Sequence, residues 1–350
     1  MKMQPKICFI PRLTGIGGMV SFQSKFTREL SRRGIQVSYD LSDPTIDSIL
    51  VIGGTRYLGK LRYAKHHGIR IVQRLDGMNW IHRKINTGAG HWLRAEYGNL
   101  ILSIIRSHLV DAVAYQSEFS KEWWEREKGI TACQNCVIYN GVDLHRFTPG
   151  GAVSAGDRVL RILMVEGSLL GGYEFGLENA VHLANQVAQK AAEGRQVELW
   201  VVGKVSSSTK DNWENWLSEH GEDNSLHINW LGTIDHEMIN EIYQQSHLLF
   251  SADINAACPN SVIESLASGT PVIAFDTGAL KEIVGDSGGS VVPYGGNSWR
   301  LEKPDIPALA ESTWKILENL DAYQKSARQR AESVFGLELM VDQYLDLMLG

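Results

Sequence analysis

The sequence predicts an α/β protein of two doubly wound, Rossmann-like domains, and three observations support this fold class. Short apolar segments rich in β-branched residues alternate with helical patterns along most of the chain. Continuous apolar strands separated by helices are typical of parallel sheets that are covered on both faces. The alternation starts again near residue 161, and a chain of 350 residues is too long for one ordinary core.

The first half of the chain opens with the strand Lys6–Ile10, a glycine-bearing loop over residues 14–18, and an amphipathic helix that Gly34 ends. Further strands of this half are predicted over residues 37–39, 49–52, 69–72 and 113–115. The second half carries predicted strands over residues 161–165, 197–202, 226–231, 247–250 and 271–274. Residues 149–157, which are rich in Gly, Ser and Ala, predict the junction, so we expect domains over 1–148 and 149–336.

Composition and charge indicate the class of protein, its compartment and the kind of partner that it can bind. With 43% hydrophobic and 21% charged residues the chain reads as globular, and four cysteines favour a reducing compartment over a disulfide framework. We expect no signal peptide and no membrane span, and hence a cytoplasmic location. Residues 1–150 hold 21 Lys and Arg against 12 Asp and Glu, a net +9, whereas residues 151–350 hold 13 against 28, a net −15. Such asymmetry bears on binding partners rather than on fold.

Ligands of open α/β sheets bind beyond the carboxyl ends of the strands, so binding residues are expected in the loops that follow the strands. The loop with Gly17 and Gly18 follows a strand and opens a helix, where backbone N–H groups favour an anion. It lacks the full dinucleotide spacing. It is therefore either an anion-binding loop or a tight turn that needs small residues.

A second informative loop follows the strand at residues 247–250. Asn260 or Ser261 is predicted to cap a helix, Glu264 lies one turn into it, and Gly269 ends it. A carboxylate there is favourable to the helix dipole in any case. It is also placed where Rossmann-like folds commonly hold a ribose diol, so both roles stay open for Glu264.

Two segments resemble family 4 retaining glycosyltransferases of the GT-B fold, of the kind that builds bacterial polysaccharide. They are IYNGVDLHRF at residues 138–147 and CPNSVIESLASGTPVIAFDTGALKEIV at residues 258–284. The resemblance implies two Rossmann-like domains facing a cleft, with the helix over 337–350 packing back on the first. It implies transfer of a hexose from a UDP- or GDP-linked sugar to a glycan or lipid-linked acceptor, with retention and without a metal or other cofactor.

The resemblance assigns the nucleotide sugar to the second domain, with Glu264 on the ribose and Asn260 and Ser261 beside it. The family's other acid is replaced here by Ala256, with Asp253 and Asn255 nearby. The family's phosphate-binding Arg and Lys are likewise missing, and the equivalent segment offers Ser168 and Tyr173. Buried phosphate charge needs partners, so we expect Lys204 and the backbone of Gly171 and Gly172 to supply them, although Lys204 is also readable as an ordinary exposed lysine.

The resemblance assigns the acceptor to the first domain, where Gly17 and Gly18 face the diphosphate or the acceptor. The family often has a His at a strand end here, and this chain has Asp76. Asp76 is our candidate catalytic residue, able to orient or deprotonate an acceptor hydroxyl, or it is a turn-capping residue before Gly77. His82 and His91 are expected on a following loop and are possible contributors.

Three alternatives stay open: a GT-B nucleotide-sugar-binding subunit that has lost its chemistry, a dinucleotide-dependent oxidoreductase and, more distantly, a GT-B nucleotide-sugar epimerase. No metal-ligand cluster is visible, and Cys133 and Cys136 read as free thiols. No nucleic-acid-binding motif accompanies the basic charge. The basic residues instead suit an anionic membrane surface on the cytoplasmic leaflet, or simply a solvated face. The sequence stretch that carries them comprises Arg56, Lys60, Arg62, Lys65, Arg70, Arg83 and Lys84.

Overall fold

The structure of the protein is a computed structural model that describes residues 4–15, 17–151, 153–170, 174–192, 194–220 and 225–350. Its contacts divide the chain into a first unit, residues 1–141 with 335–350, and a second unit, residues 142–334. The division lies at residue 141, seven residues before the boundary expected from composition. Gly171, Gly172 and Tyr173, for which the sequence predicts a phosphate-binding role, lie outside the described residues.

The strands are short and mostly buried, as their β-branched and apolar residues favour. The first unit contains β1 (Lys6–Ile10), β2 (Gln36–Ser38), β3 (Ser48–Ile52), β4 (Arg70–Leu75), β5 (Ala112–Tyr115) and β6 (Gln134–Val137). The second contains β7 (Val159–Ser168), β8 (Gln196–Lys204), β9 (Leu226–Gly232), β10 (Leu248–Ser251), β11 (Val272–Phe275) and β12 (Gly289–Val292).

Helices connect most of the strands and cover both sheets. They are α1 (Gly18–Arg32), α2 (Leu58–His66), α3 (Ala89–Ile104), α4 (Glu118–Lys128), α5 (Phe175–Gln189), α6 (Ser207–His220), α7 (Ile239–Gln244), α8 (Asn260–Ala267), α9 (Leu280–Val284), α10 (Ile306–Glu318), α11 (Leu320–Val334) and α12 (Leu337–Leu349). Short 3₁₀ turns span Ile81–Arg83 and Ser298–Arg300, and a π-helical turn over Ile105–Leu109 continues α3.

Among the described residues each unit builds one six-stranded parallel sheet. The strand orders are β2-β1-β3-β4-β5-β6 and β12-β11-β10-β7-β8-β9. The prediction of two doubly wound parallel sheets is confirmed. Strands β6 and β12 were not predicted from the sequence, because both are four-residue strands at the edge of their sheets and are only partly buried.

The last helix, α12, belongs to the first unit. Its Tyr344 packs against Phe22 and Phe26 of α1, with ring centroids 5.4 Å apart in both pairs. Met340, Val341 and Leu347 extend this contact into the core beneath β1 and β3. The apolar face of α12 is thus buried by the first unit although α12 is the last segment of the chain. The second unit has its own core, formed mainly by α5, α10 and the central strands.

The strand orders also locate where each sheet is most open to a ligand. Successive strands proceed to opposite sides of β1 and β3 in the first unit, and of β7 and β10 in the second. A crevice forms beyond the carboxyl ends of the strands at such a switch point, and α/β proteins bind their ligands there. The residues that follow β1, β3, β7 and β10 are therefore the first candidates for binding.

Candidate functional site

In the second unit, β7 borders the switch point on one side and pairs on its other side with β8, so the ends of β7 and β8 lie next to each other. The pairing of the two strands shifts after Val165, and Ser168 comes opposite Lys204. Both side chains are exposed, and Lys204 forms no ion pair with any residue that the structure describes. The structure therefore brings together Ser168 and Lys204, which the sequence connects only through their predicted places in the fold.

Helix α8 follows β10 at the same edge of the sheet. It begins at Asn260, and its N-cap is the extended residue Pro259, which has no side-chain capping bond. The expectation that Asn260 or Ser261 caps the helix is wrong, because Pro259 fixes the turn one residue earlier and leaves both inside the first helical turn. The leading backbone N–H groups of a helix lack intrahelical partners, and the first turn of α8 carries no acidic residue. This end of α8 accordingly favours an anion.

Glu264 is the fifth residue of α8 and is buried, with 7% of its surface exposed. Its Oε1 lies 3.5 Å from Nε2 of His236, in the loop before α7. Sequence reasoning missed His236, since a histidine between β9 and α7 carries no motif. A buried carboxylate is costly unless it is partnered, so the imidazole and the helix contribute to holding Glu264 in place.

Two further carboxyl groups lie at this edge, Glu166 at the end of β7 and Asp253 just after β10. Burial raises the pKa of Glu166 well above its usual value, and the negative charge of Asp253 raises it further. Burial also raises the pKa of Asp253. The buried phenol of Tyr243 has a raised pKa for the same reason, with Glu264 and Glu166 adding to the effect. The second unit thus concentrates carboxyl groups where its sheet opens.

The loop between β10 and α8 holds Asn255 in a strained conformation, with φ 56°. Its backbone N–H donates to Oγ1 of Thr277 at 3.4 Å, and Oγ of Ser298 donates to its Oδ1 at 3.2 Å. Only 4% of Asn255 is exposed, and its Nδ2 has no hydrogen-bond partner among the described residues. Buried amides are nearly always bonded, so an unpaired one beside Ala256 marks a position where a ligand can accept.

Gly278 fixes this loop from the opposite side. A Cβ at residue 278 would lie 2.5 Å from both N and O of Ala256, so any larger residue would clash. The positive φ of +60° independently favours glycine. The N–H of Ala279 donates to the carbonyl of Ala256 at 2.8 Å. The segment over residues 258–284 that carries the family resemblance therefore contains the support of the loop as well as part of the loop itself.

The first unit presents its glycine loop at the end of β1. Gly17 is the N-cap of α1, with φ +140°, and no atom lies within 4 Å of the position of its missing Cβ. The amide of Gln23 fixes the loop by accepting from the N–H of Leu13 at 2.8 Å and donating to the carbonyl of Pro11 at 2.9 Å. Gly18 begins the helix, whose first turn carries no acidic residue. Open space beside backbone donors fits an anion better than it fits a closed turn.

Asp76 follows β4 and is half-buried. Its backbone carbonyl accepts from Nε1 of Trp124 at 2.7 Å and from Oγ of Ser120 at 3.0 Å. Burial raises the pKa of Asp76, while the positive charge of Arg74 and the backbone N–H of Asp76 itself lower it. The residue is therefore held rigidly by its main chain, which suits either role that the sequence left open.

The two histidines near Asp76 do not share one loop. His82 lies in the 3₁₀ turn Ile81–Arg83 and is buried, with Nε2 2.9 Å from Oε1 of Glu96. The Arg83 guanidinium and His82 lower the pKa of Glu96 to about 2. His91 lies in α3, so its expected place on a loop is wrong, and its Nδ1 is 2.9 Å from Oγ1 of Thr87. His82 thus connects the turn to α3, which is a structural role.

Several residues of the basic stretch are engaged within the first unit. Lys65 pairs with Asp111 at 3.3 Å, and Arg83 pairs with Glu96. Arg70 donates to the carbonyl of Leu347 at 2.7 Å. No helix among the described residues is both long and apolar enough to cross a bilayer. The described residues also contain no group of three or more His, Cys, Asp or Glu that could hold a metal, and the cysteines are free thiols.

Comparison with known proteins identifies the architecture. Sucrose-phosphate synthase from Thermosynechococcus elongatus aligns over 98% of both chains with a TM-score of 0.71 and 18% identity. Anabaena HepE in complex with UDP and glucose aligns over 98% of this chain and 99% of that one, with a TM-score of 0.67 and 15% identity. The chain is of the GT-B type. Residues 162–319 match the family model of glycosyl transferases group 1, and this match contains β8, β10, α8 and most of β7.

One curated relative adds to this resemblance in sequence. The MMP α-(1→4)-mannosyltransferase of Mycolicibacterium hassiacum is 29% identical over 220 residues, which cover 59% of this chain and 46% of that protein. The chain therefore matches about half the length of that relative. The predicted resemblance to glycosyltransferases of the GT-B type is confirmed, whereas family 4 membership and retention stay predictions.

Proposed function

We propose that this GT-B protein transfers a hexose from a nucleotide-diphosphate sugar to a glycan or lipid-linked acceptor, in the building of a polysaccharide. The observation that carries the proposal is that the residues matching the group 1 glycosyl transferases include the edge where Glu264 is buried in the first turns of α8. The transfer breaks the bond from the anomeric carbon to the leaving diphosphate and forms one to the acceptor oxygen. We propose retention of configuration at that carbon.

In this proposal Glu264 accepts hydrogen bonds from the two ribose hydroxyls. Its position is fixed by the rigid helix and by His236 at 3.5 Å, so the carboxylate is preorganised for a diol. Anabaena HepE, which shares the fold, holds UDP and glucose in its crystal structure, and this favours a UDP-linked donor here. The same edge explains the specificity: carboxyl groups recognise hydroxyls, and a sugar nucleotide carries many.

The diphosphate needs hydrogen-bond donors and positive charge, and few of these are present at the carboxyl edge of the second sheet. We propose that Lys204, the hydroxyl of Ser168 and the leading N–H groups of α8 at Asn260 and Ser261 bind it. Charge that develops on the leaving group is then stabilised by fixed donors and one cation, with no metal required. Asn255, with its unpaired Nδ2, takes the hexose contact that Ala256 cannot make.

The first unit takes the acceptor in this proposal. Gly17 and Gly18 offer backbone donors, and Asp76 orients the acceptor hydroxyl and accepts its proton as the new bond forms. The raised pKa of Asp76 makes its carboxylate a better base than an exposed aspartate. We also propose a cytoplasmic location with peripheral docking on an anionic membrane. The support for docking is an exposed apolar stripe on α3, formed by Leu93, Tyr97 and Leu100, beside a net charge of +9 in residues 1–150.

The donor assignment is tested with Glu264→Gln, which keeps the volume and removes a charged acceptor. Isothermal titration with UDP should give binding at least tenfold weaker, as loss of a charge-assisted hydrogen bond of about 1.5–3 kcal/mol requires. The matched control is Glu241→Gln, an exposed glutamate of α7 in the same unit, which should bind UDP as the wild type does. Equal UDP affinity in Glu264→Gln and wild type would refute the ribose role.

A panel of UDP, GDP, ADP and NAD, each with wild-type protein, tests the function class. A ligand that binds the native state raises the melting temperature by mass action. We expect a shift with UDP or GDP and none with NAD; the reverse pattern would favour the dinucleotide oxidoreductase. Hydrolysis or transfer of the sugar, followed with and without chelator, then separates an enzyme from a binding subunit. Ala256 and the scarce cations at the end of β7 are the observations that favour the subunit.

Vesicle co-sedimentation tests the docking. Binding should occur with vesicles containing anionic lipid, decline as salt rises, and weaken in a Leu93→Ser, Leu100→Ser double variant. Equal recovery in the supernatant with neutral and anionic vesicles at low salt would leave the enzyme with a soluble acceptor. The thermal panel above is independent of this result, so each part of the proposal stands or fails separately.

A further inference from the structure

The first unit contains a cavity of about 560 Å³, a size typical of ligand pockets. It lies at the switch point of this sheet, because Pro11 follows β1 and Gly54 follows β3. Helix α3 closes it. Close approach of the helix depends on Gly54, where a Cβ would lie 3.1 Å from Cδ2 of Leu102. The cavity is therefore built by the fold at the position where α/β sheets bind ligands.

The charged residues that line the cavity are all basic. Arg56, after β3, and Arg94, on α3, both line it, and no acidic residue is among its lining residues. Neither guanidinium has an ion pair or hydrogen bond with any residue that the structure describes, whereas Arg83 in the same unit pairs with Glu96. Two arginines in one cavity without a carboxylate partner are complementary to an anion with several oxygens, such as phosphate.

The rest of the lining is largely apolar and aromatic, including Tyr57, Tyr97 and Ile101. Tyr97 also belongs to the exposed stripe that Leu93 and Leu100 form on α3, and half of its surface is exposed. An apolar surface therefore leads from the cavity to the outside of the same helix. A ligand with a phosphate in the cavity has a place for an apolar chain along α3.

We propose that this cavity binds the phosphate group of an amphiphilic acceptor, with Arg56 and Arg94 on the phosphate oxygens and the apolar chain along Tyr97 and the stripe of α3. The inference rests on the proposed function, because it names the class of acceptor for that transfer. In this proposal Arg56 and Arg94 select the acceptor by its negative charge. Asp76 keeps its separate role toward the acceptor hydroxyl.

Calorimetric titration of the full chain with octyl phosphate, below its micelle concentration and without donor, tests the inference. Octyl glucoside has the same chain without the charge, and glucose 6-phosphate has the phosphate without the chain. Octyl phosphate should bind at least tenfold more tightly than either. Glucose 6-phosphate binding as tightly as octyl phosphate would overturn the amphiphilic part, and equal binding of octyl glucoside would overturn the role of the arginines.

Variants identify the site. Arg56→Gln and Arg94→Gln should each weaken octyl phosphate binding at least tenfold, and the double variant should abolish it. Arg62→Gln is the matched control, because Arg62 is an exposed arginine of α2 that does not line the cavity. Wild-type affinity in the double variant would overturn the proposal. UDP titrations of the same variants should match the wild type, which shows that they are folded and separates this test from that of the donor site.

Discussion

The carboxyl edges of the two sheets have the same construction and opposite charge. In the first unit the edge carries the glycine loop at Gly17 and a cavity lined by Arg56 and Arg94. In the second it carries Glu166, Asp253 and Glu264, with Lys204 as the cation at the end of β8. A doubly wound sheet thus determines where a ligand can bind, whereas the side chains at the strand ends determine which ligand is favoured.

The difference has a chemical consequence for the two ligands of a transfer. In the proposed transfer, carboxyl groups of the second edge accept hydrogen bonds from hydroxyls of the donor, and backbone donors, Ser168 and Lys204 bind its diphosphate. A basic edge selects an anionic molecule directly. The charge asymmetry of the whole chain, +9 against −15, is thus expressed locally where each sheet opens.

The largest expected effect comes from the tight packing of the second edge. Gly278→Ala places a methyl group 2.5 Å from backbone atoms of Ala256 at φ +60°, so we expect a loss of about 3 kcal/mol or more. Gly17→Ala has open space, and its cost comes only from the backbone conformation at φ +140°, about 1–3 kcal/mol. Urea unfolding of both variants measures the difference. Equal losses of unfolding free energy in the two variants would mean that glycine is required at both positions for the same reason.

The next effect concerns the scarce positive charge of the second edge. Lys204→Ala should weaken UDP binding about tenfold, because removing a charged donor to phosphate costs about 1.5 kcal/mol or more. UMP binding should fall less, since it has one phosphate fewer. Lys210→Ala, on α6, is the control. UDP affinity unchanged by Lys204→Ala would assign the diphosphate to backbone donors alone.

The fold and the candidate sites differ in how much of each the sequence predicts. Strands such as β1 and β7 are predicted because their apolar runs are set by local sequence. The positions of Lys204 and Glu264 also follow from the rule that strand ends bind ligands, and that of Ser168 follows from the family resemblance. Arg94 and Tyr97 could not be connected to Arg56 from sequence, because their common pocket depends on how α3 packs against Gly54, just after β3. His236 and the unpaired Nδ2 of Asn255 depend on tertiary contacts in the same way.

Protonation offers a third comparison, between Asp253 and Asp76. Burial raises the pKa of both, and at the first edge the positive charge of Arg74 partly offsets this by lowering the pKa of Asp76. A raised carboxyl pKa means that the folded state binds the proton more tightly, so stability falls as pH rises from the unfolded value of 3.8 through the folded one.

Asp253→Asn should therefore stabilise the second unit at pH 7, by about 1 kcal/mol or 2–4 °C in melting temperature. It should also flatten the decline of stability above pH 4. Asp76→Asn should gain less, because Arg74 already offsets the burial of that carboxylate. Thermal melts from pH 4 to pH 8 measure both variants. A lower melting temperature for Asp253→Asn at pH 7 would show that the ionised pair is supported by contacts beyond its burial.

The smallest effect belongs to Glu96, a carboxylate of α3 whose pKa is lowered to about 2 by Arg83 and His82. A lowered carboxyl pKa contributes stability above the unfolded value of 4.5, and that contribution is lost as pH falls toward 2. Arg83 is 43% exposed, so Glu96→Gln should cost only about 1 kcal/mol or less at pH 7 and nothing near pH 2. Stability curves of the two proteins should converge on acidification, opposite in sign to those of Asp253→Asn. The first unit would then gain stability from the ion pair of Glu96 with Arg83 at a pH where the second unit loses stability from a buried carboxylate. A Glu96→Gln curve parallel to wild type would remove that distinction.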